Sequence, residues 1–183
     1  MRVIAGTARS VPLLTRDGLE TRPTADRVKE AEFNIIQFEI AGSSVLDLFG
    51  GSGQLGIECL SRGANEAVIV DASPDAVRMI KENLRRTKLT EKAQVIQSDY
   101  LSFLANCTKR FHLIFLDPPY RENFLENALK RISEIDILGL DGIILCEHPS
   151  DKVMTDGYAG LTRGKTYRYG KTAVTLYRKI EDE

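Results

Sequence analysis

The chain has no CxxC pair, no run of apolar residues of membrane-spanning length and no repeated or low-complexity segment. Its three cysteines, Cys59, Cys107 and Cys146, are far apart, and its two histidines, His112 and His148, complete no metal-ligand set. No metal is therefore expected, and the thiols are expected to be free in a reducing compartment. With no apolar signal region at the N-terminus, a soluble cytoplasmic protein is expected. Charge of one sign is also lacking: 25 basic residues face 26 acidic ones, for a net charge of −1. That excludes a global field for nucleic acid, so any such site must be local. What is present is 183 residues with 43% hydrophobic content, enough for one core and too little for two large domains.

Two short apolar runs around Gly6 and Gly18 predict a small hairpin or arm over residues 1–20. Thr24 is suited to cap a helix running to about residue 37, with Val28, Ala31, Ile35 and Ile36 on its buried face. Glu30 and Glu32 read as solvated residues of that helix. Strands and helices then alternate. Strands are predicted at 45–49, 67–70, 93–97, 111–116 and 142–146, with helices near 55–61, 74–84, 99–106 and 122–133. Ser73 followed by Pro74 is a helix start with the cap and the first-turn proline in place. Such alternation implies right-handed crossovers and a mostly parallel sheet. Residues 164–179 break the pattern and read as two antiparallel strands joined at Gly170.

The first predicted strand runs into Asp47-Leu48-Phe49-Gly50-Gly51-Ser52-Gly53-Gln54-Leu55-Gly56. Gly51, Gly53 and Gly56 give GxGxxG between a strand and a helix, a context in which backbone approaches a ligand closely. Asp71 follows Gly51 by twenty residues, at the end of the next strand. A carboxylate there can accept both hydroxyls of a ribose. Asp99 ends the third strand. It can accept an adenine amino group or simply cap the helix that follows. Two cofactors fit the loop. A nicotinamide dinucleotide would place its pyrophosphate on the helix N-terminus. S-adenosylmethionine has no phosphate, and Asp47, inside the strand, suits its cationic amine. The glycine pattern does not choose between them.

The fourth predicted strand ends in Asp117-Pro118-Pro119-Tyr120. A carboxylate, two prolines and an aromatic ring can form a rigid site for a planar amine. The carboxylate would accept from its N–H groups, and the ring would stack on its plane. The competing reading is an ordinary turn, which Asp-Pro and Pro-Pro also favour.

Asp47–Gly56, Asp71, Asp99 and Asp117–Tyr120, taken in order, resemble the site elements of class I S-adenosylmethionine-dependent methyltransferases. The Asp-Pro-Pro-Tyr element is similar to the signature of enzymes that methylate exocyclic amino nitrogens. Residues Thr21–Asn34, Leu48–Ala64 and Tyr169–Thr172 resemble the RsmD family, which methylates guanine N2 in 16S ribosomal RNA. The resemblance covers nearly the whole chain. It implies a Rossmann-like α/β fold: a mostly parallel seven-stranded sheet, an antiparallel C-terminal edge hairpin and a small arm at 1–20 beside a methyltransferase domain at 21–183. It implies Asp117, Pro118, Pro119 and Tyr120 as the catalytic group. Asp47, Phe49, Gly51, Gly53, Asp71 and Asp99 would hold the cofactor, with Arg22 and Thr24 packed over its pocket. Arg22 can pair with the methionine carboxylate or stand as a surface cation. The arm departs from the family's Gly-x-x-Arg-Gly-Arg/Lys pattern, since Ser10 and Val11 replace a glycine and a basic residue.

Arg163, Lys165, Arg168 and Lys171 lie in an acid-free stretch interleaved with tyrosines. With Arg9 they form the candidate RNA contacts on the small ribosomal subunit. An edge hairpin favours the same residue types for its own reasons. The chain is expected to act as a monomer. Adenine-N6 methylation of DNA, a nucleotide-dependent oxidoreductase and a non-catalytic RNA-binding module remain as rival readings.

Overall fold

The structure, a computed structural model, describes residues 1–16, 23–120 and 123–180. Among the described residues five α-helices and eight strands follow in the order α1 (Pro23–Ile35), β1 (Ser44–Asp47), α2 (Gln54–Ser61), β2 (Glu66–Asp71), α3 (Pro74–Thr87), β3 (Ala93–Gln97), α4 (Tyr100–Asn106), β4 (Phe111–Leu116), α5 (Phe124–Ile135), β5 (Leu138–Pro149), β6 (Gly157–Tyr158), β7 (Leu161–Tyr169) and β8 (Thr172–Lys179), with one short 3-10 turn at Thr90–Lys92. All strands join one sheet in the order β3-β2-β1-β4-β5-β8-β7-β6. The first five pair in parallel, and β8, β7 and β6 add on antiparallel. The expected sheet had seven strands. The eighth is β6, two residues paired with Leu161 and Thr162 at the outer edge.

Side chains on the two faces of the sheet build two cores, because successive residues of a strand point to opposite faces. Val45, Ile69, Leu113 and Phe115 pack with α1, α2, α3 and the arm. Leu46, Val68, Ile114 and Leu116 pack with α4 and α5. α3 begins as its sequence requires: Ser73 Oγ accepts the Ala76 N–H, and Pro74 occupies the first turn. α1 begins differently. Pro23 is its first residue, so Thr24 lies inside the first turn rather than capping it. Proline is suited to that place because the first turn needs no N–H from it.

The arm is a hairpin bridged at Arg2 and Pro12. It lies along α2 and contributes Val3, Ala8 and Leu13 to the first core. Ser10 has a φ of 69°, a left-handed conformation, at the position where the family pattern carries glycine. Two buried polar anchors hold the hairpin down. Glu58, 0% exposed, accepts the N–H groups of Ile4 and Ala5 at 2.8 and 3.0 Å. It also pairs with Arg62 and Lys29. Asn83, equally buried, exchanges hydrogen bonds with both backbone groups of Leu14 and donates to the Ser52 carbonyl at 2.8 Å. Among the described residues no helix is long and apolar enough to cross a membrane.

Candidate active site

The chain runs outward from β1 to β2 and β3, then returns to start β4 on the other side of β1. At that reversal the loops leaving the two strands diverge and open a crevice above their carboxyl ends. A cavity of about 750 Å³ occupies it. Its walls include Phe49, Gly51, Asp71, Asp99 and the whole of Asp117–Tyr120. The structure thus brings together the elements that the sequence spaced along four strands, although Asp47 and Gly53 themselves lie outside the cavity wall. Arg22 lies outside the described residues, as does the side chain of Thr24.

The glycine loop is organised from below. β1 ends at Asp47, two residues short of the expected Phe49, and the chain turns through Gly51 and Gly53 with φ of 57° and 79°. Only glycine takes such values without strain. Gly56 serves packing instead: a Cβ there would meet Ile69 at 2.8 Å, so its absence lets α2 rest on β2. Asp47 is 1% exposed, and its Oδ2 accepts the Gly56 N–H at 3.2 Å. Its Oδ1 is buried without a hydrogen-bond partner among the described residues. Burial pushes the Asp47 carboxyl up to about 7, offset in part by the backbone N–H groups of Gly56 and Phe49, with the Asp71 charge adding to the rise. Asp71 is already engaged: its oxygens accept the N–H groups of Gly51 and Ser73, each at 2.8 Å. Each oxygen keeps a further lone pair for a ribose hydroxyl. Asp99 caps α4 through Oδ1, which accepts from Leu101 and Ser102, while it also lines the cavity.

Four carboxyl groups influence one another electrostatically at the cavity, two in its wall and two buried nearby. Glu32 was expected on the solvated face of α1, yet it is 3% exposed. Its pKa lies well above the usual carboxylate range, through burial first and then the charges of Glu147, Asp117 and Asp47, with Lys29 opposing. Asp117 is raised likewise by burial, Glu147 and Asp47. Glu147, at the carboxyl end of β5, is raised by burial and accepts a hydrogen bond from the Tyr120 hydroxyl at 2.9 Å. The cluster has the character of a socket for positive charge. Among the described residues no group of three or more His, Cys, Asp or Glu side chains is placed to hold a metal ion.

Sequence reasoning missed several wall residues. Tyr100 and Phe124 join Phe49 in an aromatic cluster with ring centroids 5.2 to 6.4 Å apart. Met1, Thr15 and Arg16 bring the arm into the wall. Glu147 had a signal: it lies near the carboxyl end of the strand next to β4, and ligands gather at such ends.

The candidate RNA contacts do not form one patch. Lys171 sits in the β7–β8 turn, beside Thr172, which pairs with Pro149 at the carboxyl end of β5. Arg168, exposed and three residues earlier, shares that end of the sheet. Lys165 lies over the Tyr167 ring at 4.9 Å. Arg163 lies towards the opposite end of β7, donating to the Met154 carbonyl and paired with Asp156. Arg9 is in the tip of the arm, by Ser61 at the end of α2. That is about 12 Å from the glycine loop, the length of an eight-residue helix.

A sequence profile of a family described as conserved hypothetical protein 95 matches residues 1–178. The chain belongs to that family. The resemblance to RsmD stands with it. The chain is 38% identical to the ribosomal RNA small subunit methyltransferase D of Haemophilus influenzae, over 100% of this chain and 94% of the relative. It is 41% identical to the putative rRNA methyltransferase YlbH of Bacillus subtilis, over 98% of this chain and 99% of that one. The solved structure of the putative methyltransferase yhhF from Escherichia coli superposes with a TM-score of 0.86 at 31% identity, covering 100% of this chain and 99% of that chain. The family's fold is thus the Rossmann-like α/β fold of class I methyltransferases, with the antiparallel edge at its C-terminus.

Proposed function

We propose that this chain transfers a methyl group from S-adenosylmethionine to the exocyclic N2 of a guanine in small-subunit 16S ribosomal RNA, working in the cytoplasm. The observation that carries the reading is the carboxyl cluster at the cavity, in which Asp117 and Glu147 line the wall and Asp47 and Glu32 are buried nearby. A sulfonium and an amine are both cations and would stabilise the ionised form of these carboxyls, which a pyrophosphate dianion would not. S-adenosylmethionine supplies an activated methyl group when bound. Asp47, buried behind the glycine loop, would act on its cationic end from outside the wall, with Asp71 at its ribose hydroxyls and Phe49 and Tyr100 at its adenine. Relatives named as small-subunit rRNA methyltransferases support ribosomal RNA as the substrate.

With the methyl group already activated, the chain's task is positioning. Asp117 and the Pro118 carbonyl would accept the N–H groups of the target amine and stabilise the positive charge it gains during attack. Pro118 and Pro119 have no N–H to compete for these acceptors. Tyr120 would stack on the base. A base within a helix cannot reach the cavity, so the target is single-stranded or flipped out.

The test is transfer of labelled methyl groups to naked 16S ribosomal RNA, assembled small subunits and DNA, followed by nucleoside analysis. N2-methylguanosine from RNA or subunits is the expected product. Methylated adenine, or transfer to DNA alone, would overturn the assignment. Asp117→Ala should reduce transfer by at least a hundredfold while leaving S-adenosylmethionine affinity within a few-fold of wild type.

A further inference from the structure

Within the Asp117–Tyr120 element the Tyr120 ring presents a flat surface to solvent: it is 57% exposed. An exposed tyrosine on a loop ordinarily samples several rotamers. Here its far end is tied. The hydroxyl donates to Glu147 Oε1 at 2.9 Å, across from β4 to β5. Thr172, at the start of β8, lies within reach of the same phenol. The register explains how the tie is built. Leu116 pairs with Cys146, so the next residues, Asp117 and Glu147, stand at the same level on neighbouring parallel strands. Glu147 also lines the cavity.

We infer that Glu147 is a positioning residue for the methyl acceptor: its carboxylate pins the Tyr120 hydroxyl so that the ring is already fixed as a stacking surface when the planar base arrives. The inference rests on the reading of this site as one that methylates a planar amine. Ordering the ring during folding removes that entropy cost from RNA binding. A hydrogen bond to a charged acceptor is strong enough for its loss to be felt about tenfold in the KM for RNA.

The experiment compares Glu147→Ala, Glu147→Gln, Tyr120→Phe and the Glu147→Ala/Tyr120→Phe double variant with wild type. Glu147→Ala and Tyr120→Phe should each raise the KM for RNA about tenfold, with smaller changes in kcat. The double variant should be no worse than either single one, since both remove the same bond. Glu147→Gln, whose amide oxygen still accepts, should recover most of the loss. Fully additive effects, or a Gln variant as poor as Ala, would overturn the proposal.

A readout without RNA separates this from failure of the functional reading. In 13C-tyrosine NMR the Tyr120 signal is assigned by its loss in Tyr120→Phe. Burial and the Glu147 charge hold this phenol's titration above the usual range. In Glu147→Ala it should titrate at lower pH. An unchanged titration would overturn the tie itself, whatever the substrate. A shifted titration in a protein that transfers nothing to any RNA would uphold the tie and overturn the substrate reading.

Discussion

Asp47 carries the sharpest pH signature at the scale of a single residue. Its carboxyl is raised from 3.8 to about 7 in the folded chain. The folded state therefore holds a proton that the unfolded state has released between these two values. The stability tied to that proton is fully present below about pH 4 and is lost as pH rises through 7. Denaturation of the cofactor-free protein should show this loss, and Asp47→Asn should remove it from the difference between the two profiles. A bound cation favours the ionised carboxylate, so S-adenosylmethionine should release protons on binding near neutral pH. S-adenosylhomocysteine, lacking the sulfonium charge, should release fewer. Calorimetry in two buffers of different ionisation enthalpy measures both numbers, and equal proton release would contradict the socket.

Among the elements, the arm and α2 depend on Glu58. Its carboxylate holds the Ile4 and Ala5 N–H groups together with Arg62 and Lys29, and it is fully buried. Lys29 is buried as well, and burial lowers its pKa against the pull of Glu58. Removing the acid strands both the amides and the cation. Glu58→Ala should cost roughly 3 kcal/mol, and hydrogen exchange at Ile4 and Ala5 should accelerate well before that of the sheet. The elements also show what could be read in advance. β3 and β4 match their expected limits, and α3 matches its cap, because local chemistry sets them. β5 proved longer, starting at Leu138 rather than 142, since Gly139, Asp141 and Gly142 obscured a strand with a shifted register beside Phe111. Glu32 was misplaced for a different reason. Its burial comes from neighbours distant in sequence, and helical periodicity cannot see them. β6 has two residues and leaves no periodic trace.

The whole molecule decides which basic residues can meet RNA at the site. Addition of β8 and β7 to β5 carries the Gly170 turn to the end where Tyr120 and Glu147 stand. Lys171 and Arg168 share that end, while Arg163 is committed to Asp156 and the Met154 carbonyl. Lys171→Ala should weaken RNA binding and lower the slope of log affinity against log salt by about 1, the release of one phosphate contact. Arg163→Ala should leave the slope unchanged. Equal slopes for the two variants, measured by titration at several salt concentrations, would return the patch to an undivided surface. The site's acids at four strand ends were legible because the open-sheet rule converts sequence order into position. The separation of the basic residues was not, because it depends on antiparallel register, which charge spacing does not encode.

The Asn83 clasp has a consequence for the order in which the protein is made. Leu14 and its partner are 69 residues apart, and Ile4 waits on Glu58 across 54. During synthesis the arm emerges long before the helix that receives it, so it must remain undocked until α3 is complete. Closure of the cavity wall by Met1 and Thr15 must then wait for α3, although the arm is translated before it.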